Sequence, residues 1–205
     1  MKHSAPATLA ELLDARVKSQ PDKLALIFNG RRWNYGEIAA GVDRIANGFL
    51  RIGVKNGDRV AFVLPNCAEF LLATFAVARI GAVFVPLNPQ YTAEEAEYVL
   101  HHSEASICLT SPELLPLVDT VRAKCPDLEQ VIVTGDGETS TATPWSWSKF
   151  LSGVAAEAPK VDIDPEDLAS ITYTSGTTDR PKGVMLSQYA YAFAPRMRAR
   201  GLGWN

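Results

Sequence analysis

Apolar residues return at three- and four-residue steps early in the chain. Leu9, Leu12, Leu13 and Val17 follow the capping box Thr8-Leu-Ala-Glu11, which predicts a helix over residues 8–19 that Pro21 stops. Two short strand-like runs come next, Leu24 to Phe28 and Arg31 to Tyr35. Asn29-Gly30 joins them, the dipeptide best suited to a two-residue turn with positive φ at both positions. Helical spacing resumes from Gly36 to about Ile52, carried by Ile38, Val42, Ile45 and Phe49, and stops at Gly53.

The middle of the chain alternates between the two periods. Arg59 to Leu64 is an apolar strand, Ala68 to Ile80 a nearly all-apolar helix ended by Gly81, and Ala82 to Val85 another strand. A second capping box, Thr92-Ala-Glu-Glu95, opens a helix to about His102, and strand Ser106 to Leu109 follows. Ser111-Pro112 reads as the N-cap and first position of a helix to about Lys124, before strand Gln130 to Val133. This alternation predicts βαβ units: an α/β fold with a mostly parallel sheet and helices on both faces.

Residues 134–165 turn to Gly, Thr, Ser, Pro and Asp, with only a short helix expected from Trp145 to Leu151. They read as a connection or subdomain seam, with Trp145 and Trp147 as packing residues. Leu168 to Tyr173 is a strand, Val184 to Leu186 a brief one, and Tyr189 to Arg200 a helix that Pro195 either kinks or opens. Tyr189, Tyr191 and Phe193 are expected to pack against the sheet rather than to stack on bases.

Composition narrows the classes. The 205 residues carry a net charge of -3 with both signs interspersed, so there is no basic stripe for nucleic acid or anionic lipid. Pro65, Asn66, Glu69 and Arg79 divide the most apolar region into pieces too short to span a bilayer, and the first residues lack a signal-peptide pattern. Cys67, Cys108 and Cys125 are an odd, widely spaced set that suggests neither disulfides nor zinc, and a cytoplasmic location is expected. Cys67 either caps or packs at a helix start, with a buried, inert thiol the more frequent outcome. The adjacent His101 and His102 point in different directions on a helix and read as solvated, and Glu94, Glu95 and Glu97 as an acidic first turn.

The densest chemistry lies at Tyr173 to Val184, YTSGTTDRPKGV. A polyphosphate needs converging donors, and backbone N–H groups supply them where glycine lets the chain turn and approach closely. Gly176 and Gly183 meet that need. Thr174, Ser175, Thr177 and Thr178 add hydroxyls, and Lys182 adds a mobile charge for β- or γ-phosphate oxygens. The spacing is not that of the common P-loop, because Gly176 precedes Pro181-Lys182-Gly183 and no hydroxyl follows the lysine to hold magnesium. The alternative is a solvent-exposed Ser/Thr/Gly turn without a ligand.

This run resembles the phosphate-binding signature of adenylate-forming (AMP-binding) enzymes, Y-T-S-G-T-T-G-x-P-K-G-V, and departs from it only at Asp179. RRWNYGEI, GVKNGDRVAFVLPNCAEF and ARIGAVFVPLNPQYTAEE are similar to further motifs of that superfamily, in the order of its acyl-CoA synthetase and fatty-acid–CoA ligase branch. The resemblance implies a two-step reaction: a carboxylic acid attacks ATP to give an acyl-adenylate and pyrophosphate, and CoA then displaces AMP. It implies ATP, Mg2+ and CoA as co-reactants. Thr174, Ser175, Gly176, Thr177, Thr178, Lys182 and Gly183 would be the phosphate-binding residues, with Lys182 also the catalytic cation. No metal ligand is assigned.

Later motifs of that superfamily, among them Y-G-x-T-E and the C-terminal catalytic lysine, do not occur in these residues. The expectation is therefore an incomplete N-terminal AMP-binding domain over 1–205, inactive alone. The alternatives are a non-catalytic ATP- or pyrophosphate-binding module, or a truncated fold that self-associates through an uncovered sheet edge. Aspartate tolerates positive φ better than most residues, so Asp179 need not break the loop. Its carboxylate about 4 Å from one phosphate charge would cost roughly 4 kcal/mol at an effective dielectric near 20, and less if it pairs with Arg180. Gln188 stands where the superfamily commonly has histidine.

Overall fold

Helix α1 (Leu9–Ser19) begins as its sequence dictates: Glu11 N–H donates to the Thr8 hydroxyl at 3.2 Å, and Thr8 N–H donates to Glu11 Oε2 at 3.2 Å. The structure is a computed structural model and describes residues 6–135, 145–174 and 180–201. Strands β1 (Leu24–Phe28) and β2 (Arg31–Asn34) form the expected hairpin, with φ of 48° at Asn29 and 77° at Gly30.

Helix α2 (Tyr35–Arg51) starts earlier than the apolar spacing suggests. Asn34 and Glu37 make another reciprocal box, at 2.8 and 2.9 Å, so Tyr35 is helical rather than the end of a strand. Asn34→Ala removes one half of that box and is expected to lower stability by about 1 kcal/mol in urea unfolding. An unchanged midpoint would show that the box is redundant.

The alternation then runs β3 (Arg59–Val63), α3 (Ala68–Arg79), β4 (Val83–Pro86), α4 (Ala93–His102), β5 (Ile107–Thr110), α5 (Leu115–Arg122) and β6 (Gln130–Val133). Ser111-Pro112 does not open α5. Residues 111–114 form a turn in which Leu114 N–H donates to Ser111 O at 3.1 Å, and Pro116 occupies the first helical turn instead. Both prolines suit a first turn, but starting at Leu115 aligns Leu115, Val118 and Val121 on the buried face. The 134–165 stretch contributes a strand of two residues, β7 (Trp145–Ser146), beside β6, and the short α6 (Trp147–Leu151). Strands β8 (Leu168–Thr174) and β9 (Lys182–Ser187) and helix α7 (Gln188–Gly201) follow. Position 195 lies inside α7, not at its first turn.

The seven-stranded sheet has the order β7-β6-β5-β3-β4-β8-β9 and is parallel except for β9. Both faces are covered, and strand alternation divides them. Val60, Phe62, Leu64, Phe84, Ile107, Leu109 and Ile132 pack with α1, α2, α3 and α6, while Ala61, Val63, Val85, Cys108, Val131 and Val133 pack with α4 and α5. Trp145 and Trp147 pack at the edge of the first core, and Trp145 Nε1–H donates to Gln130 Oε1 at 2.8 Å.

Beneath that core Arg79 is 6% exposed and ties three helices together, with Nη2 at 2.7 Å from Asp14 Oδ1 and Nε at 3.0 Å from Asp43 Oδ1. Edge strand β9 leaves Val184 and Met185 exposed. Among the described residues no helix is long and apolar enough to cross a membrane.

Candidate phosphate-loop site

Strand β8 runs parallel to β4, so its last residue, Thr174, reaches the carboxyl edge of the sheet, where open α/β folds bind ligands. The chain returns antiparallel as β9, with Tyr173 opposite Gly183 and Thr174 opposite Lys182. The candidate loop is therefore the connection of a β-hairpin. It enters β9 rather than a helix, so no helix dipole follows it, and Lys182 is the cation nearest its exit. Thr174 and Lys182 are both exposed, and Lys182 makes no ion pair among the described residues. Ser175, Gly176, Thr177, Thr178 and Asp179 lie outside the described residues.

Gly183 has a packing role that its sequence context did not suggest. A Cβ there would stand 2.8 Å from Ile171 Cγ2 and 3.3 Å from Tyr173 Cζ, while its φ lies outside the left-handed region. Whatever else this glycine does, it makes room for the residues across the hairpin.

Helix α4 meets the loop at both ends. Tyr98 and His102, one turn apart on the same face, lie with ring centroids 5.2 Å apart. Tyr173 stands edge-on to both, at 6.3 and 5.8 Å, and its hydroxyl shares a 2.8 Å hydrogen bond with His102 Nδ1. At the other end of the loop, Tyr98 O–H donates to Pro181 O at 3.2 Å, and Arg180 Cζ lies 5.4 Å from the Tyr98 ring centre. Burial, followed by the nearby Tyr98, pushes the Tyr173 phenol up to about 12, so it keeps its proton near neutral pH.

His102 is exposed, as expected, and these contacts add a partner, the Tyr173 hydroxyl, that the expectation did not include. The signal was in the sequence, since Tyr98 and His102 are four apart, but nothing local said that they face the Tyr173 strand. Beside them is an open cleft of about 540 Å³ lined by Glu94, Glu95, Glu97, Tyr98, Arg180 and other residues. Its carboxylates would repel a polyphosphate, so the cleft itself does not suit one. Glu95 caps its own helix, with its carboxyl lowered first by the Thr92 N–H, and Glu97 pairs with Lys124 at 2.8 Å.

Gln188 is fully buried at the start of α7, separated from Lys182 by the length of β9. Tyr191 packs against the first core, whereas Tyr189 and Phe193 stack on each other and Phe193 is 41% exposed. Cys67 caps α3, accepting from Phe70 N–H at 3.4 Å. Burial raises its thiol above the ordinary range, so the cap is not an activated nucleophile.

A second cleft, about 850 Å³, opens between the ends of β3 and β5, where the chain leaves toward opposite faces. Arg31 and Trp33 from the β1–β2 hairpin line it, with Asn66, Glu69, Ser111 and Glu113. Its mixed charges select no ligand class. Among the described residues no group of three or more His, Cys, Asp or Glu could hold a metal ion.

A family profile described as AMP-binding enzyme matches residues 13–200. The chain is 33% identical over 195 residues to a crotonobetaine/carnitine–CoA ligase of Salmonella paratyphi A, covering 91% of this chain and 37% of that protein. Among solved structures, a long-chain-fatty-acid–CoA ligase from Archaeoglobus fulgidus superposes with a TM-score of 0.88 at 30% identity, over 99% of this chain and 41% of that one. The apo MatB structure from Rhodopseudomonas palustris superposes with a TM-score of 0.81 at 31% identity, over 96% and 38%. The chain thus spans well under half the length of each.

Proposed function

The chain belongs to the AMP-binding enzyme family, and from that premise we propose that it is the N-terminal part of an ATP-dependent, AMP-forming carboxylate–CoA ligase whose 173–184 loop holds the polyphosphate of ATP. The observation that carries this reading is the pairing of Thr174 with Lys182 across β8 and β9. It brings together, at the carboxyl edge of the sheet, a hydroxyl and a cation that makes no ion pair among the described residues.

In the proposed first step a carboxylate attacks the α-phosphorus of ATP and pyrophosphate leaves. Two anions must be brought together, and charge develops on the departing pyrophosphate. Lys182, at the start of β9, would stabilise that charge, and Thr174 with Ser175, Gly176, Thr177 and Thr178 would supply converging donors. Lys182 and the loop donors are thus this chain's own contribution. Magnesium, like ATP, is proposed from the family, and no residue of this chain is assigned to hold it. The acid and CoA, transferred in the second step, are proposed from the family and its named relatives. The same reading puts the protein in the cytoplasm, where three free thiols stay reduced.

Calorimetric titration with MgATP tests the loop. Lys182→Ala is expected to weaken binding about tenfold or more, since a charge-assisted contact is lost. Asp179→Gly is expected to tighten it by removing a like charge. The 205-residue polypeptide by itself is expected to release no pyrophosphate in response to added carboxylic acids. Absence of MgATP binding in all three proteins would remove the polyphosphate reading, and carboxylate-dependent release would overturn the expected inactivity.

A further inference from the structure

We propose that the Tyr98/His102 face of α4 is the positioning element of the phosphate loop, clasping both of its shoulders and so setting how Thr174 and Lys182 are presented. The inference rests on the reading of that loop as a polyphosphate site and names residues that act on it without touching the ligand.

The clasp has one fixed side. Helix α4 is closed at its start by the Thr92–Glu95 box, and Ala96, Val99 and Leu100 are at most 1% exposed against the sheet. Tyr98 and His102 project from the same helix toward the hairpin, so their position is set by the core. Two hydrogen bonds then reach different ends of one loop. His102 holds Tyr173, the residue before Thr174, and Tyr98 holds the carbonyl of Pro181, the residue before Lys182.

A hairpin at the edge of a sheet is otherwise free to twist or open at its tip. Tying residues on both sides of the tip to one helix restricts that motion, and it reduces the ordering that ligand binding would otherwise require. Arg180 is held separately: it lies over the Tyr98 ring and lines the carboxylate-bearing cleft. Both cations of the loop exit are exposed, but Arg180 rests on the Tyr98 ring whereas Lys182 stands opposite Thr174.

The test uses the full 205-residue chain and the variants Tyr98→Phe, His102→Leu and His102→Asn. Hydrogen exchange followed by mass spectrometry reads the 168–187 hairpin without any ligand, and titration with inorganic pyrophosphate reads binding. Tyr98→Phe keeps the ring and deletes one hydroxyl, so it should leave the core folded. In Tyr98→Phe and His102→Leu, hairpin exchange should rise about three- to tenfold, the worth of one hydrogen bond, with peptides from α1 to α3 unchanged. Pyrophosphate affinity should fall in the same variants, and His102→Asn, whose amide can meet the Tyr173 hydroxyl, should restore both.

Unchanged hairpin exchange in Tyr98→Phe and His102→Leu overturns the clasp. So does faster exchange spread equally over α1 to α3, which would mean a general loss of stability. If the wild-type chain binds no pyrophosphate, the polyphosphate reading fails, and the proposed positioning for that ligand fails with it. The exchange result then still reports whether the two ties hold the hairpin.

Discussion

Replacing Arg79 with methionine is expected to destabilise the fold by about 3–5 kcal/mol, because the side chain left behind is a buried carboxylate without its cation. Arg79 itself is 6% exposed, and its two partners differ: Asp14 is largely in water, Asp43 is not. Burial holds the Asp43 carboxyl above its ordinary range, and Arg79 offsets this only in part. The folded state therefore takes a proton at this site more readily than the unfolded chain. The stability contributed by neutral Asp43 is fully present below the unfolded carboxyl value of about 3.9 and is lost as pH rises through the raised folded value.

Removing Arg79 takes away the main offset, so the deficit of Arg79→Met should be larger near neutrality than near about pH 4. Denaturant unfolding at both pH values checks the sign. A double variant, Arg79→Met with Asp43→Leu, should recover most of the loss, as replacing a whole buried pair by apolar groups is often neutral. A loss below about 1 kcal/mol for the single variant would show that water reaches Asp43 freely.

The elements were legible where one local rule had no rival. Asn29-Gly30 demanded positive φ at two positions, and the structure has it. Thr8 and Thr92 each stood three residues before a glutamate, and each caps a helix. Where two rules competed, the tertiary fold decided. Pro112 and Pro116 both suit a first turn, and the facing of Leu115, Val118 and Val121 toward the sheet selected the later start. Trp145 and Ser146 are too few to give a period, so strand β7 exists only because β6 offers an edge to pair with.

The division of the sheet into two faces was only half legible. The strands read as continuous apolar runs, which says that both faces are covered. It does not say that Phe62 meets α3 while Val63 meets the α4 and α5 side, because that depends on which way each crossover turns. The candidate site shows the same limit. Its residue types led to the expectation of phosphate chemistry, but the ties from Tyr98 and His102 span 83 and 71 positions, and no local pattern carries contacts at that range.

Gly183→Ala is expected to cost about 1–3 kcal/mol, and to weaken MgATP binding, for a reason separate from any phosphate. The added Cβ would stand 2.8 Å from Ile171 Cγ2. That methyl hangs from a β-branched side chain with few χ1 alternatives, so it cannot swing aside as a long flexible tip would. The strain must pass to the β8–β9 pairing or to Tyr173, whose ring is next nearest at 3.3 Å. Either route disturbs the register that sets Thr174 opposite Lys182. Ile171→Ala removes the obstructing methyl. Combined with Gly183→Ala, it should therefore show a favourable coupling of about 1 kcal/mol in a double-mutant cycle of unfolding. Binding then separates two roles for one glycine. If Gly183 serves the hairpin, the double variant should regain MgATP affinity along with stability. If it serves close approach of the backbone to a phosphate, stability returns while affinity stays lost.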